Sequence, residues 1–275
     1  MKNLKKWITS PGATLVLFGL AAGLLLFSTI GSAWAALQIF SQIYKGHVEM
    51  YDIGVTLMEK SALDTEARAV GSRDYKKNSQ DEWDTTTGVL LGDGHFLAEG
   101  EDFIPGKTYQ EEISCANTGT IDEYVRITLY KYWINPEGEK VFTSENGGVT
   151  TQGLAPELIK FTFPNLDTAW LLDTENSAET EERQIYYYNK LLKAGTDTTE
   201  VPLTDTLTID PSVARKVTKI TSDDGKTITT KYNYDGWQFC IEATVDAVQD
   251  HNAEDAIKSA WGRDVTISDG TLQLD

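Results

Sequence analysis

Few side chains in this sequence have the types that do chemistry, and their spacing decides against most of it. Hydrolytic zinc needs two or three histidine or carboxylate ligands at fixed spacing, most often H-E-x-x-H on a helix. The three histidines, His47, His95 and His251, are far apart, and none has a histidine neighbour. No G-x-S-x-G offers a serine on a nucleophile elbow. Paired carboxylates such as Glu111-Glu112 and Glu181-Glu182 carry little information in a chain with 42 acidic residues. They are expected to be solvated loop charges. The sequence therefore points to no catalytic residue, no cofactor site, no metal site and no enzyme activity.

Binding chemistry has more to work with. The chain holds seven tryptophans and twelve tyrosines, and Tyr186-Tyr187-Tyr188 is the densest cluster. Such rings can stack on a sugar. In a strand, however, Tyr186 and Tyr188 share one face and Tyr187 takes the other, so core packing and a cross-strand aromatic ladder are expected instead. Arg126 lies in a run crowded with aromatics and is expected to be a structural arginine paired with a carboxylate. The two cysteines, Cys115 and Cys240, fall on opposite sides of their strands by parity. Cys115 shares a face with Ile113; Cys240 shares one with Gln238, Glu242 and Thr244. One thiol should look inward and the other outward, which argues against a disulfide even in an exported chain.

The placement of the chain is written in its first residues. Lys2, Lys5 and Lys6 precede an almost wholly apolar run over 13–30, and Gly31-Ser32-Ala33-Trp34-Ala35 follows. A basic region, an apolar core and small residues at Ala33 and Ala35 are the parts of a secretory signal peptide, with cleavage expected between Ala35 and Ala36 by signal peptidase. The competing reading is a permanent membrane anchor, because the run is near spanning length. In either case residues 36–275 are expected outside the cytoplasm as one extracellular domain with long loop insertions. The formal charge is −18, and residues 1–35 hold three lysines and no acid, which leaves −21 for the remainder. Such a surface repels nucleic acid and anionic lipid, so membrane contact is expected through the N-terminal segment alone.

Patterning then gives the elements. Residues 36–44 are apolar, uncharged and β-prone, with Leu37, Ile39, Phe40, Ile43 and Tyr44 as their large side chains. Residues 47–60 alternate as a long strand with an irregularity at Gly54. The polar stretch 61–84 reads as a loop or a peripheral hairpin. Residues 109–116 form a strand, and 121–133 form the strongest one: Val125, Ile127, Leu129 and Lys131 on one face, Tyr124, Arg126, Thr128, Tyr130 and Tyr132 on the other. An acidic loop is expected over 173–182. Asp224-Gly225 turns a hairpin between 214–221 and 227–232. Residues 237–248 are the second-best strand. One helix is expected, 253–261, capped by Asn252 and ended by Gly262. A final strand pair surrounds Asp269-Gly270. Many short strands with Gly, Asn and Asp turns predict an all-β antiparallel sandwich, jelly-roll-like, with one short C-terminal helix, preceded by the hydrophobic N-terminal helix.

Several of these stretches together resemble exported proteins of Gram-positive bacteria with SipW-type signal peptides, of which the TasA and camelysin family is the best-known branch. The resemblance rests on 117–133 (NTGTIDEYVRITLYKYW), 186–210 and 241–262. Its sharpest pieces are Asn117-Thr118-Gly119 with Tyr124-Val125-Arg126, and the Ala-Val-Gln and Ala-Trp-Gly of the last stretch. It implies a jelly roll, and for some members extracellular or biofilm-matrix fibres in which the mature N-terminal segment is given as a strand to the next subunit. Camelysin-type proteins are also described as metalloproteases, but the scattered histidines here do not supply that site. Long insertions around 61–103 and 140–185 depart from the family.

Two functions follow as expectations. One is a surface or matrix structural protein that self-associates, with 36–44 as the donated strand. The other is a monomeric, membrane-anchored binding or adhesion module. The bland fate of 36–44 is to pair with 47–60 of its own chain, and removing the segment separates these outcomes.

Overall fold

The structure, a computed structural model, describes residues 52–75, 83–86, 88–91, 97–98, 101–141, 154–215, 217–221, 228–232 and 234–275. The cleavage residues Ala33, Ala35 and Ala36 and the segment with Leu37, Ile39, Phe40, Ile43 and Tyr44 lie outside them. No helix among the described residues is long and apolar enough to cross a membrane.

The described chain is built of antiparallel strands. In order they are β1 (Gly54–Ser61), β2 (Arg68–Tyr75), β3 (Trp83–Thr85), β4 (Gly88–Val89), β5 (Thr108–Asn117), β6 (Glu123–Ile134), β7 (Lys140–Val141) and β8 (Ile159–Thr162). They continue as β9 (Trp170–Leu172), β10 (Arg183–Tyr188), β11 (Thr206–Ile209), β12 (Val217–Thr221), β13 (Ile228–Tyr232), β14 (Gln238–Gln249), β15 (Val265–Ser268) and β16 (Thr271–Leu274). The helix α1 (Ala253–Trp261) lies between β14 and β15. One sheet runs β3-β2-β1-β5-β11-β8. The other runs β4-β14-β6-β10-β9, with β7 on the end of β6. β12–β13 and β15–β16 are hairpins.

The two strands read as strongest pair with each other. β6 and β14 form one antiparallel ladder from Glu123↔Gln249 to Ile134↔Gln238. Alternation does the positioning. Val125, Ile127 and Leu129 of β6 and Ile241, Ala243 and Val245 of β14 share one hydrophobic cluster with Val55, Leu57, Ile113 and Cys115 of the opposite sheet. Each buried aliphatic side chain contributes about 1.5–3 kcal/mol relative to exposure. The reverse face of β6 and β10 is also covered. Tyr124, Ile185 and Tyr187 pack with Ala253 and Ile257 of α1 and with Val265 and Leu272 of the last hairpin.

The Asn117-Thr118-Gly119 motif has a mechanical role. The Asn117 amide donates to the carbonyls of Ile121 (2.8 Å) and Leu192 (3.0 Å), and its oxygen accepts from the Gly119 N–H (2.9 Å). Gly119 lets the start of β1 close on this turn: a Cβ there would meet the Asp52 carbonyl oxygen at 2.4 Å.

Four expectations are corrected. The polar stretch 61–84 is not peripheral throughout: β2 pairs with β1 on one side and β3 on the other. Its apolar content is too low for a pattern signal, and pairing supplies the structure. The irregularity of β1 lies between Leu57 and Met58, not at Gly54. Asn252 does not cap through its side chain. It adopts φ 59°, and its amide bonds Asp255 Oδ2 at 3.2 Å. Gly262 does end the helix, at φ 70° with its N–H on the Lys258 carbonyl. The fourth correction, Glu111, belongs to the site.

Candidate functional site

The structure places the aromatic and charged candidates differently. Tyr186, Tyr187 and Tyr188 are 1%, 0% and 9% exposed, so none has a ring face free to stack on a sugar. Arg126 is structural: its Nε donates to Asp246 Oδ2 at 3.0 Å, and its guanidinium lies 4.8 Å from the centre of the Trp261 ring. Arg73 of β2 donates to the other oxygen of Asp246. Asp246 therefore sits between two guanidinium groups, directly across the ladder from Arg126. Both cysteines are free, Cys115 buried and Cys240 half-buried. Burial pushes the Cys115 thiol up to about 12, which keeps it protonated and unreactive. His47 and His95 lie outside the described residues, and His251 is exposed in the turn before α1. Among the described residues no group of three or more His, Cys, Asp or Glu is placed to hold a metal ion.

The inward faces carry carboxyls as well as apolar groups. Glu111, expected in solvent, is 1% exposed on β5, two residues from Ile113 on the face that ends at Cys115. Glu59 of β1, also 1% exposed, reaches the same place. Glu59 accepts from the Leu91 N–H at 2.6 Å and pairs with Arg68. Glu111 has no such cation. Burial first, and the adjoining Glu59 carboxylate second, push it up to about 10. Burial beside another carboxylate favours its neutral form. At the start of β6, Glu123 is fully buried. Burial pushes it up to about 9, a hydrogen bond with the Gly54 backbone opposes the rise, and Asp74 adds to it. Strand parity was the signal for Glu111: the face shared by Ile113 and Cys115 continues to residue 111. Lys131 occupies the inward face of β6 too, with its Nζ on Glu181 Oε2 at 2.8 Å and the Ile159 carbonyl at 3.2 Å.

A cleft of about 620 Å³ lies at one end of β14. Phe103, Trp133, Tyr234, Trp237 and Phe239 line it, with Tyr132, Asp235, Cys240 and Glu242 as its main polar groups. Tyr234 and Trp237 meet at 88° with centroids 5.8 Å apart, and Phe103 lies 5.2 Å from Phe239. Tyr132 donates its hydroxyl proton to Glu242 Oε1 at 2.5 Å. Beside the cleft runs the outer edge of β14. Among the described residues that edge has one strand partner, β4, over Glu242↔Val89 and Ala243↔Gly88. The Leu90 N–H also donates to the Ile241 carbonyl.

Fold and site together define an all-β protein of antiparallel sheets with an aromatic cleft beside a long strand edge. The chain matches no family model, no curated protein and no solved structure.

Proposed function

We propose that this chain is an exported cell-surface or matrix structural protein that self-associates by β-strand addition, with residues 36–44 as the strand given to a neighbouring copy. The observation that supports this reading is the outer edge of β14, a twelve-residue strand with strand pairing over two residues on that side among the described residues. A strand edge with little strand pairing can template the pairing of another chain. The segment 36–44 has no charge, so it can approach an acidic neighbour without added repulsion. In this reading the two sheets form a jelly-roll-like sandwich, signal peptidase cuts between Ala35 and Ala36 and frees the strand, and the role is structural rather than enzymatic.

The test compares two chains, one beginning at Ala36 and one at Lys45. Light scattering and electron microscopy should show the longer chain assembling as concentration and ionic strength rise, since salt screens the −21 carried after residue 35. The shorter chain should stay monomeric. Equal assembly by both would remove 36–44 from the mechanism. A second reading, a binding module held by an uncleaved N-terminal anchor, is favoured by the aromatic cleft. Intact mass of the exported protein separates the two, since a species retaining Met1 in the membrane fraction supports the anchor.

A further inference from the structure

We propose that the aromatic cleft beside β14 binds an organic ammonium cation carried on a small apolar body. The walls set the class of ligand. Six of the lining side chains named above are aromatic, and Leu90, Leu91, Pro105 and Ile209 add aliphatic surface. A cleft of about 620 Å³ falls in the range that takes small organic molecules, about 300–1,000 Å³. Among the described residues no lysine or arginine lines it. Its charged groups are Asp235 and Glu242, and neither has an ion-pair partner among the described residues.

The ring geometry agrees with the charge. Tyr234 and Trp237 stand perpendicular, so together they form a corner, and ring faces carry the negative part of an aromatic quadrupole. Quaternary ammonium groups are recognised by such corners, with a carboxylate nearby to complete the pairing. The wall already shows the interaction once: Lys140 Nζ lies 4.0 Å from the centre of the Tyr132 ring. Lys140 pairs with Glu182 at 3.2 Å. Glu242 is oriented by the Tyr132 hydroxyl on one of its oxygens, so the second can face a ligand. This inference stands apart from strand addition and does not need it.

The test uses the full exported chain and titrates it with choline, with benzyltrimethylammonium and with 3,3-dimethylbutan-1-ol, the uncharged isostere of choline. Calorimetry and tryptophan fluorescence report binding. Both cations should bind saturably, benzyltrimethylammonium more tightly because its ring fills the apolar wall, and the alcohol at least about tenfold more weakly than choline. Glu242→Gln keeps the Tyr132 hydrogen bond and should weaken both cations with unchanged circular dichroism. Trp237→Leu should do the same. Co-sedimentation with phosphatidylcholine vesicles would identify a lipid headgroup as the source of the cation; choline binding without it would identify a free cation. The proposal is overturned if the alcohol binds as well as choline, if a neutral oligosaccharide saturates the cleft and neither cation does, or if no cation binds up to on the order of 10 mM.

Discussion

Asp246 and Glu111 are buried to a similar degree, 7% and 1% exposed, yet the fold handles them in opposite ways. Asp246 lies on the covered outer face of β14, where Arg126 from the adjoining strand and Arg73 from the other sheet both reach it. Glu111 lies on the inner face of β5, where the nearest guanidinium, that of Arg68, is paired with Glu59. A carboxyl taken out of water either finds a cation or keeps its proton. The outer face takes the first route, because long side chains can reach round the sheet edge to it. On the inner face Arg68 is taken by Glu59, so Glu111 takes the second. An acidic composition thus conceals two kinds of carboxyl, and only one of them is charged in the folded state.

The largest test of this contrast places a charge on the inner face where no carboxyl stands. Val125→Asp, at a position with no exposure, should abolish folding or cost more than about 4 kcal/mol in urea. A soluble variant with unchanged thermal stability would show that β6 is not central. Next in size is the outer face. Arg126→Leu removes one partner of Asp246 and the Trp261 contact, and should cost about 2–4 kcal/mol. Asp246→Asn in the same chain should recover part of that loss. Additive effects of the two substitutions would mean the pair is not coupled.

A subtler effect is expected from the neutral acids. Native Glu111 and Glu123 hold protons that unfolded glutamates release near 4.5. The folded state therefore binds more protons than the unfolded one from that pH up to about 9 for Glu123 and about 10 for Glu111. Their contribution is fully present below pH 4.5 and is lost as pH rises through the window. Glu111→Gln keeps a neutral side chain of the same shape. It should match the parent chain in melting temperature at pH 5 and exceed it at pH 8 by roughly 3–6 °C, about 1–2 kcal/mol for a chain of this size. A parallel pH profile for parent and variant would show Glu111 to be ionised. The smallest effect is on the surface: Lys258 and Asp264 pair at 2.5 Å with both side chains more than half exposed. Lys258→Ala should leave the melting temperature unchanged, since water and salt screen such a pair. A clear loss would mean exposed carboxyls here behave like Asp246.

Wherever a period was strong, the chain could be read without its fold. The alternation of 121–133 and 237–248 placed Val125, Ile127, Leu129, Ile241, Ala243 and Val245 inward, because successive strand residues point to opposite sides. The same parity separated Cys115 from Cys240. Gly262 and Asp269-Gly270 marked the end of α1 and the last turn, because only certain residues accept positive φ cheaply. Glu111 was within reach of that reasoning, since it shares a face with Ile113, but composition pointed the other way.

Other features were decided only by the tertiary structure. β2 (RAVGSRDY) has little apolar content, and it is a strand because β1 and β3 supply its hydrogen bonds. The partnership of Arg73 with Asp246 spans 173 residues, and no local pattern encodes it. The cleft gathers Leu90, Phe103, Tyr132, Trp133, Tyr234 and Trp237 from four separate stretches. The protonation of Glu111 depends on which neighbour takes Arg68. Periodicity is a property of the chain and survives in the sequence. Dielectric surroundings, ion partners and concave surfaces are properties of what lies opposite, and they exist once the sheets have packed.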